Sequence, residues 1–446
     1  MNLHIHNTLT NKKDLFVPCS SAKSINMYVC GPTVYSEPHI GNARAALTGD
    51  LFYRVLKELF ENVVYIRNLT DVDDKIIDQS SKTGIPISKL TEDVACIYQK
   101  NMLELNMLKP THEPKVTDNI NNIISTIEKI LINKSAYISE KHVVFDTVAF
   151  ENYGTLSKKI ANDLIDGARI KPEAFKRNQK DFVLWKPSQN DKHGWDSPWG
   201  FGRPGWHIEC TSMIKSIIGN NNTLDIHGGG NDLIFPHHEN EIAQGSCCSS
   251  SKYCNYWFHN GIVLVNKKKM SKSLGNVILV SDIINRYDPS IIRLALMSTH
   301  YRQPLNWTDD TINNAKNIYE KISRTLNNTS QLDVTRDDNF LELLCDDINT
   351  PNAIQYLIKQ AKLARDDIKV MSKLKYNCQL IGIVSNRNSI EINPNEKQII
   401  ENLIEKREMA RKNKDFVQAD SIRDQLTTLS VVLEDGPSGV TWKIKR

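Results

Sequence analysis

Short apolar runs alternate with longer helical patterns in the first part of the chain. The apolar runs are rich in branched and aromatic residues, which is typical of buried strands; they cover residues 27–30, 63–66, 224–226 and 261–265. Between them, apolar residues recur near the 3.6-residue spacing of a helix, at residues 43–60 and 88–105. Strand followed by helix, repeated along the chain, predicts an α/β fold with a parallel sheet.

The pattern changes after the first part of the predicted sheet. Residues 114–202 are charged and loop-rich, with short strand-like pieces at 143–145 and 182–185. This stretch is interpreted as an insertion between two halves of the sheet domain. From residue 311 onward the pattern is helical, most clearly at residues 315–326 and 351–371.

The last part of the chain follows a segment that is typical of a linker, residues 385–394, with three Asn and a Pro. A charged amphipathic helical stretch is predicted at 396–426, and a hairpin at 431–444 with its turn at 435–439. These patterns predict six segments: two halves of a sheet domain at 1–113 and 203–265, an insertion at 114–202, a connecting region at 266–310, a helical bundle at 311–393 and a small terminal domain at 394–446.

Composition places the chain among soluble globular proteins. The 446 residues carry a net charge of only +4, with 40% hydrophobic and 24% charged residues. The nine cysteines are an odd number scattered along a long chain, which favours reduced thiols and a cytoplasmic location over a secreted disulfide scaffold. No apolar run approaches the ~18–20 residues of a membrane span, and polar residues interrupt the first 16 positions.

Two turns carry residues suited to phosphate. Residues 38–42 (Pro-His-Ile-Gly-Asn) follow the first predicted strand and open a helix, whose N-terminal N–H groups suit an anion. Residues 267–276 (Lys-Lys-Lys-Met-Ser-Lys-Ser-Leu-Gly-Asn) follow the late strand-like run, and clustered ammonium groups in such a loop can hold a triphosphate. Each turn alone is more often an ordinary turn or a solvated basic loop.

Taken together, the two turns resemble the HIGH and KMSKS signatures of class I aminoacyl-tRNA synthetases. The resemblance implies a Rossmann-type parallel-sheet catalytic domain that binds ATP between the two signatures. It implies that His39, Asn42, Lys269 and Lys272 stabilise the charge that develops during catalysis. Asn42 departs from the family pattern, which has His there; an amide can donate a hydrogen bond but cannot become a cation.

Four chemically compatible metal ligands lie far apart in the sequence. Cys30 ends the first predicted strand, Cys210 ends a Gly-Trp-His-Ile-Glu-Cys segment, and His237 and Glu241 are four residues apart, on one face of a helix. Two thiols, an imidazole and a carboxylate form a reasonable Zn²⁺ set. Without a C-x-x-C pair, the spacing leaves open that each residue is structural.

The surrounding segments resemble the cysteinyl-tRNA synthetase family over essentially the whole chain. The segments that carry the resemblance are Cys-Gly-Pro-Thr-Val-Tyr at 30–35, Tyr-Ile-Arg-Asn-Leu-Thr-Asp at 65–71, Gly-Trp-His-Ile-Glu-Cys at 205–210, Asp-Ile-His-Gly-Gly-Gly at 225–230 and His-His-Glu-Asn-Glu at 237–241. The resemblance implies that Cys30, Cys210, His237 and Glu241 bind one zinc ion. It also implies that the zinc takes the thiolate of the substrate cysteine and so excludes serine without an editing domain.

The resemblance assigns further residues to the substrates. The nucleotide would contact Gly41, His227, Gly228, Gly229, Lys269, Met270, Ser271, Lys272 and Ser273. The amino acid would contact Gly31, Thr70, Trp206 and Asp232. The implied activity is formation of cysteinyl-adenylate from L-cysteine and ATP with Mg²⁺, then transfer to tRNA(Cys), by a monomeric enzyme.

The tRNA would be bound by the helical bundle and by a small anticodon-binding domain after residue 394. Basic residues in that last stretch include Lys406, Arg411 and Arg423, and an aromatic residue, Trp442, lies close to the chain end. Acidic residues alternate with the basic ones, so the charge pattern by itself is that of a solvated helix. The anticodon function is therefore implied by the resemblance alone.

Three other functions fit parts of the sequence. A related ATP-dependent ligase that joins cysteine to a small amine would share the zinc and nucleotide residues but would lack the terminal domain. A zinc hydrolase with Glu239 or Glu241 as base would leave the Lys-Met-Ser-Lys-Ser loop unexplained. A non-catalytic tRNA-binding paralogue would have no need for intact signature residues.

Overall fold

The structure, a computed structural model, divides the chain into two compact units, residues 1–384 and 385–446. The described residues are 1–19, 24–158, 173–189, 193–247, 251–271, 274–326, 329, 332–383, 394–413, 415–428, 431–436 and 439–444.

The first unit holds thirteen strands and twelve α-helices among its described residues. The strands are β1 (His4–Asn7), β2 (Lys12–Leu15), β3 (Ser24–Val29), β4 (Asn62–Arg67), β5 (Ala136–Ser139), β6 (His142–Phe145), β7 (Phe182–Pro187), β8 (Gly202–Pro204), β9 (Leu224–Gly230), β10 (Cys254–Asn260), β11 (Val263–Val265), β12 (Lys268–Lys269) and β13 (Leu305–Trp307). The helices are α1 (Ile40–Leu59), α2 (Asp74–Thr83), α3 (Ile87–Glu104), α4 (Ile120–Ile132), α5 (Trp206–Ile218), α6 (Glu239–Cys247), α7 (Val280–Ile284), α8 (Pro289–Leu296), α9 (Asp309–Leu326), α10 (Asp338–Cys345), α11 (Thr350–Leu363) and α12 (Ile368–Leu380).

A four-stranded parallel sheet, ordered β10-β9-β3-β4, forms the centre of the first unit. The predicted α/β fold is thereby confirmed, with β3, β4 and β9 close to the predicted strands and α1 and α3 close to the predicted helices. Its inward side chains, among them Ile25, Met27 and Ile226, are fully buried against α1. All four strands run the same way, so their carboxyl ends meet at one edge, where parallel sheets bind ligands.

The late strand-like run does not belong to this sheet, contrary to the expectation. It begins at Val263, and β11 pairs with β12 and β13 in a separate three-stranded sheet. The edge strand next to β9 is instead β10, which the sequence pattern did not indicate. Its sequence, Cys-Asn-Tyr-Trp-Phe-His-Asn, mixes polar and aromatic residues, yet five of the seven are buried. Both ring nitrogens of the buried His259 have partners inside the protein, Thr8 and His238.

The segment between α4 and α5 forms its own antiparallel sheet, ordered β5-β6-β7-β8. Strands β6 and β7 confirm the strand-like pieces predicted there. Helix α4 was not predicted, although its isoleucines at 120, 123, 127 and 130 recur at helical spacing and are buried under the sheet. We refer to residues 114–202 as the insertion.

The last four helices of the first unit are α9 to α12. Helix α9 agrees with the helix predicted at 315–326, but the single helix predicted at 351–371 is wrong. The chain ends α11 at Leu363 and starts α12 at Ile368. Asp367 causes the break, because its carboxylate accepts the N–H groups of Lys369 and Val370 and so caps a new helix.

The second unit consists of α13 (Pro394–Lys412), α14 (Phe416–Thr428), β14 (Val431–Gly436) and β15 (Gly439–Ile444). The stretch predicted as one helix at 396–426 is therefore two helices, and Asp415 accepts the Gln418 N–H at the start of the second. The two strands form the predicted antiparallel hairpin. Ile400, Ile422, Leu426 and Val431 make a small core. The predicted linker, apart from Pro394, lies outside the described residues.

Within the described part of the chain, none of the helices combines the length and the apolar character that a membrane span needs. The eight described cysteines are free thiols.

Candidate active site

The carboxyl ends of β3, β9 and β10 open into a cavity of about 410 Å³. The chain leaves β3 at Cys30 and passes Gly31, while β9 ends at Gly230 and β10 at Asn260. Predicted site residues from both signatures and from the amino-acid side line this cavity: Cys30, Gly31, His39, Gly41, Asn42, Trp206, Asp232, Lys269 and Met270. Residues that are up to 240 positions apart in sequence thus face one space.

The first signature forms the capped start of α1. His39 is the N-cap residue, and its Nδ1 accepts the N–H of Gly41 at 3.1 Å and of Asn42 at 3.3 Å. In return, Asn42 Oδ1 accepts the His39 N–H at 3.0 Å, which completes a capping box. Because Nδ1 accepts, the neutral ring carries its proton on Nε2, where it can donate to a ligand.

The His39 ring lies across the start of α1, and this position requires a glycine at residue 41. A Cβ at Gly41 would lie 2.9 Å from two His39 ring atoms and 3.3 Å from Met270 Cε. The methionine of the second signature therefore packs over the glycine of the first. Backbone hydrogen bonds join the same regions, since Ile40 N–H donates to Ile278 O at 3.0 Å and Val280 N–H to Pro38 O at 2.9 Å.

The described part of the second signature is held by the Asn276 side chain. Its Oδ1 accepts the Ser271 N–H at 2.9 Å, and its Nδ2 donates to Lys269 O at 3.2 Å. Asn276 thus joins the two sides of the loop. Two predicted site residues of this loop, Lys272 and Ser273, lie outside the described residues.

The four predicted metal ligands lie together beside the cavity: Cys30 lines it, whereas Cys210, His237 and Glu241 are buried and are not among the residues that line it. Their donor atoms are all within 4.8 Å of one another. The separations are 3.9 Å between the sulfurs of Cys30 and Cys210, 3.6 Å from Cys210 Sγ to His237 Nε2, 3.2 Å from His237 Nε2 to Glu241 Oε1, and 3.9 Å from that oxygen to Cys30 Sγ.

These separations fit a tetrahedral zinc site. Metal–sulfur bonds of about 2.3 Å and metal–nitrogen or metal–oxygen bonds of about 2.0–2.2 Å place tetrahedral donors about 3.8 Å apart for two sulfurs, about 3.6 Å for sulfur with nitrogen or oxygen, and about 3.4 Å for nitrogen with oxygen. His237 lies in a helical turn over Ile234–His238 that leads into α6, so the four-residue spacing brings it onto the face of Glu241.

A second group of four, Cys30, His227, His238 and Glu241, is also close enough to share an ion. The first group is better suited to zinc because it offers two thiols. Its ligands also have outer partners. His237 Nδ1 lies 2.9 Å from His207 Nδ1, and Glu241 Oε2, the oxygen turned away from the sulfurs, lies 3.0 Å from His227 Nε2.

The hydroxyl of Tyr253 donates to the same Glu241 Oε2 at 2.9 Å. The remaining histidine of the second group is linked outward: His238 Nδ1 lies 2.8 Å from His259 Nε2, and His259 Nδ1 lies 2.7 Å from Thr8 Oγ1.

Burial keeps five side chains in and around the donor set neutral in the metal-free protein: Cys30, Glu241, His207, His227 and His259. It raises the pKa of Cys30 and of Glu241 well above their usual values, because an anion there loses its hydration. Burial likewise lowers the pKa of His207 to about 4 and of His227 and His259 to about 3. A divalent cation reverses this preference for the thiols and the carboxyl, since it stabilises their anions.

The predicted amino-acid residues are arranged around the cluster. The Trp206 ring lies 4.4 Å from that of His237 and is 41% exposed, so it forms a wall between the cluster and the cavity. Gly31 N–H donates to Asn68 Oδ1 at 2.8 Å, and Asn68 Nδ2 donates to Thr70 Oγ1 at 3.0 Å. Thr70 is buried behind Gly31 and is not among the residues that line the cavity.

His227, Gly228 and Gly229, which are predicted to contact the nucleotide, each pack against aromatic side chains. His227 is fully buried with its ring stacked on Trp257, and it contacts Glu241. Gly228 packs against the Phe258 ring and Gly229 against His238. None of the three is among the residues lining the cavity.

Sequence reasoning missed several residues of this site. His207 lies next to Trp206 in a quoted segment and could have been found there. Asn68 and Asn276 likewise lie within quoted segments, 65–71 and 267–276. Tyr253 and His259 belong to no local pattern, because only the folded sheet brings them to the cluster.

Two family models match the chain. One is described as "tRNA synthetases class I (C) catalytic domain" and matches residues 16–317. The other is described as "Cysteinyl-tRNA ligase anticodon binding domain" and matches residues 393–442.

Curated relatives match over the full length. A protein of Parvibaculum lavamentivorans named "Cysteine--tRNA ligase" is 43% identical over 462 residues, covering 100% of this chain and 98% of its own. One of Pelagibacter ubique with the same name is 41% identical, covering 100% and 99%. Among solved structures, methionyl-tRNA synthetase of Mycobacterium tuberculosis has a TM-score of 0.58 at 12% identity, covering 81% of this chain and 90% of its own, which supports the fold alone.

Proposed function

The chain belongs to the cysteinyl-tRNA synthetase family, and from this membership we propose that it activates L-cysteine with ATP and transfers the cysteinyl group to the 3′ end of tRNA(Cys). In the first step the cysteine carboxylate attacks the α-phosphate of ATP, and pyrophosphate leaves. In the second step the terminal ribose hydroxyl of the tRNA attacks the activated carbonyl, and AMP leaves. Little covalent chemistry falls to the protein, so positioning and charge stabilisation account for its contribution.

The observation that carries the proposal is one cavity with both nucleotide signatures on its walls and a zinc-type donor set beside it, of which Cys30 lines the cavity. The ligands proposed for Zn²⁺ are Cys30, Cys210, His237 and Glu241, whose spacing supports a tetrahedral site. Zn²⁺ bound there would favour a thiolate sulfur over the harder serine hydroxyl.

The chain's own residues would orient cysteine above this donor set. Trp206 offers an apolar wall beside His237 and is exposed enough to contact a small ligand. Asp232 lines the cavity and suits the substrate ammonium group. Gly31 can form close backbone contacts, and Thr70 would act from behind it through Asn68. These roles extend the family resemblance to this chain.

ATP with Mg²⁺ would lie on the other side of the cavity. His39 would donate from Nε2 to a phosphate oxygen, since its Nδ1 accepts from the helix. Asn42 closes the capping box that holds the ring. Gly41 has no side chain and so leaves room for the ring and for a ligand beside it. Lys269 is exposed at the cavity wall and would pair with phosphate.

The remaining nucleotide assignments differ in their support. Met270 lines the cavity, and Ser271 is held by Asn276 next to it. The roles of Lys272 and Ser273 remain predictions from the signature. For His227, Gly228 and Gly229, the contacts with the cluster and the core favour a supporting role behind the site.

The second unit would bind the anticodon region of the tRNA. Its family match covers residues 393–442, and Lys406, Arg411 and Arg423 are exposed on its two helices. This unit argues against the cysteine ligase that acts on a small amine, which has no need of an anticodon reader. From the family resemblance we also propose that the protein is a monomer located in the cytoplasm.

A zinc hydrolase has no support from the geometry. The Glu239 carboxylate, one of its two candidate bases, accepts hydrogen bonds from the backbone N–H groups of Gly154, Leu156 and Ser157. The other, Glu241, belongs to the donor set.

The proposal is tested by ATP–pyrophosphate exchange that depends on added amino acid. We expect exchange with cysteine, little or none with serine, and loss of the cysteine signal after treatment with a zinc chelator that is restored by added Zn²⁺. Exchange that continues at an equal rate with serine, or that does not respond to complete zinc removal, would contradict the proposed role of the metal.

A further inference from the structure

Glu239 lies between two proposed metal ligands, His237 and Glu241, but is not itself a ligand. Its carboxylate is fully buried. The two oxygens accept the N–H of Gly154 at 2.9 Å, of Leu156 at 3.1 Å and of Ser157 at 2.8 Å. These donors belong to the insertion, more than 80 residues away in sequence.

The next residue makes a parallel contact. Asn240 is buried, and its Oδ1 accepts the hydroxyl hydrogen of Tyr153 at 2.5 Å. Two successive side chains at the start of α6 therefore hold one short segment of the insertion, residues 153–157. We call this segment the anchor loop.

The Glu239 carboxylate is an anion held by three convergent backbone N–H groups. Convergent N–H groups stabilise a negative charge that would otherwise be costly to bury. Because each oxygen of Glu239 is engaged, the carboxylate has a single defined position. That position fixes the first turn of α6, and Glu241 lies in the same turn.

The insertion also reaches the other half of the donor set. Gly205, between β8 and α5, donates its N–H to Leu184 O at 2.9 Å, and a Cβ at Gly205 would lie 2.0 Å from Val183 O. This close contact fixes the start of α5, which carries Cys210. The insertion thus contacts both helices that contribute metal ligands from outside the central sheet.

We propose that Glu239 is a positioning residue, which fastens the turn carrying His237 and Glu241 to the anchor loop and so holds these two ligands in place for the metal and, through it, for cysteine. The inference rests on the proposed function for the identity of the metal and the substrate. The fastening itself depends only on the contacts of Glu239 and Asn240.

The test replaces Glu239 in the full-length protein. Glu239→Gln keeps the size of the side chain but removes the charge and turns an NH₂ group toward a backbone N–H. Loss of an outer-shell partner of a metal site lowers metal affinity roughly 10–100-fold. We expect Zn²⁺ affinity, measured by chelator competition, to fall within that range, the KM for cysteine to rise, and the KM for ATP to stay unchanged. Glu239→Asp, which keeps the anion, should recover part of the loss.

Hydrogen exchange gives a readout that is independent of zinc. The amides of Gly154, Leu156 and Ser157 should exchange faster in the metal-free Glu239→Gln variant than in the metal-free wild type. Glu151→Gln is the matched control, because Glu151 is an exposed carboxylate just before the anchor loop. We expect it to change neither zinc affinity nor exchange.

A folded Glu239→Gln variant with wild-type zinc affinity and unchanged exchange would overturn the inference. If that variant does not fold, Tyr153→Phe carries the test; it deletes only the hydroxyl that donates to Asn240, and wild-type zinc affinity with unchanged exchange would again overturn the inference. If instead the wild-type chain shows no zinc affinity or no cysteine-dependent pyrophosphate exchange, the proposed function is refuted. The fastening by Glu239 would still stand in that case if the amides of the anchor loop exchange faster in Glu239→Gln.

Discussion

His227 Nε2 lies 3.0 Å from Glu241 Oε2, and both side chains are completely buried. The carboxylate therefore uses one oxygen toward histidine and turns the other, Oε1, toward His237 and Cys30. Burial lowers the pKa of His227 to about 3, so the imidazole is neutral and can donate a proton from only one nitrogen. A neutral donor that orients a carboxylate without adding charge is suited to supporting a metal ligand.

Tyr253→Phe tests whether the second hydrogen-bond donor to Glu241 also helps to orient this carboxylate. The variant removes only the hydroxyl that donates to Glu241 Oε2 at 2.9 Å. We expect Zn²⁺ affinity to fall roughly tenfold, the low end of outer-shell effects, since His227 still holds the same oxygen. Chelator competition measures the change. Tyr53→Phe, a change outside the cluster, is the control, and equal affinities in both variants would show that the hydroxyl does not support the ligand.

Much of this site could be predicted from sequence where a ligand belongs to a local pattern. Cys30 follows an apolar strand, and His237 and Glu241 share a helix face. Tyr253 has no such signal, because it precedes a polar, aromatic strand, β10, that resembles neither a buried strand nor a helix. Its contact with Glu241 exists only because β10 pairs with β9.

The secondary structure likewise divides into elements that could be predicted from the sequence and elements that could not. Strands β3 and β4 could be predicted because they are continuous apolar runs, as parallel strands covered on both faces are. The break between α11 and α12 could not be predicted from hydrophobic spacing, since Asp367 interrupts the helix through a local cap while the apolar spacing continues.

Asn42→Ala tests the departure from the family signature. Asn42 Oδ1 accepts the His39 N–H, so the variant removes this hydrogen bond of the capping box and loosens the imidazole. We expect the free energy of unfolding to fall by about 1 kcal/mol, as for other helix caps, with a loss of at most ~10-fold in pyrophosphate exchange. Urea unfolding and exchange assays measure the two effects. Asn42→Asp keeps the acceptor and should restore stability, whereas a far larger loss of exchange at wild-type stability would indicate direct contact with substrate.

Asp50→Asn tests a buried ion pair between α1 and α8. Burial alone would raise the pKa of Asp50, but Arg293 at 2.7 Å, Arg54 at 2.9 Å and the Leu108 N–H hold it below its ordinary value of 3.8. Neutralising the carboxylate leaves the fully buried Arg293 without its counter-charge. We therefore expect the free energy of unfolding to fall by about 3–5 kcal/mol.

The pH dependence of that loss has a definite sign. A lowered native pKa stabilises the fold above the unfolded pKa, and the contribution disappears as the pH falls through the native pKa. The difference between wild type and Asp50→Asn should therefore be constant from about pH 5 to 8 and shrink below about pH 4. Asp93→Asn, in an exposed pair with Lys89 that solvent screens, is the control and should leave the free energy of unfolding nearly unchanged. A difference that grows on acidification would rule out this account of Asp50.

Lys272→Ala tests the second signature. A lysine that stabilises charge on the transferring phosphate contributes on the scale of one transition-state donor, so we expect cysteine-dependent exchange to fall ~10²-fold or more. The effect should appear mainly in kcat. Lys100→Ala removes an exposed lysine of α3 and serves as the charge-matched control. Unchanged exchange in Lys272→Ala would remove this residue from the proposed site.

Deletion of residues 394–446 separates the two steps of the reaction. These residues belong to a compact unit of their own, so the first unit should keep its cavity and its cysteine-dependent exchange. Anticodon bases that stack on a protein contribute about 1–3 kcal/mol each, so transfer to tRNA(Cys) should fall by at least ~10-fold while exchange stays near the wild-type rate. Exchange and aminoacylation are measured on the same preparation. If the two rates fall together, the second unit supports the fold of the first and does not read the tRNA.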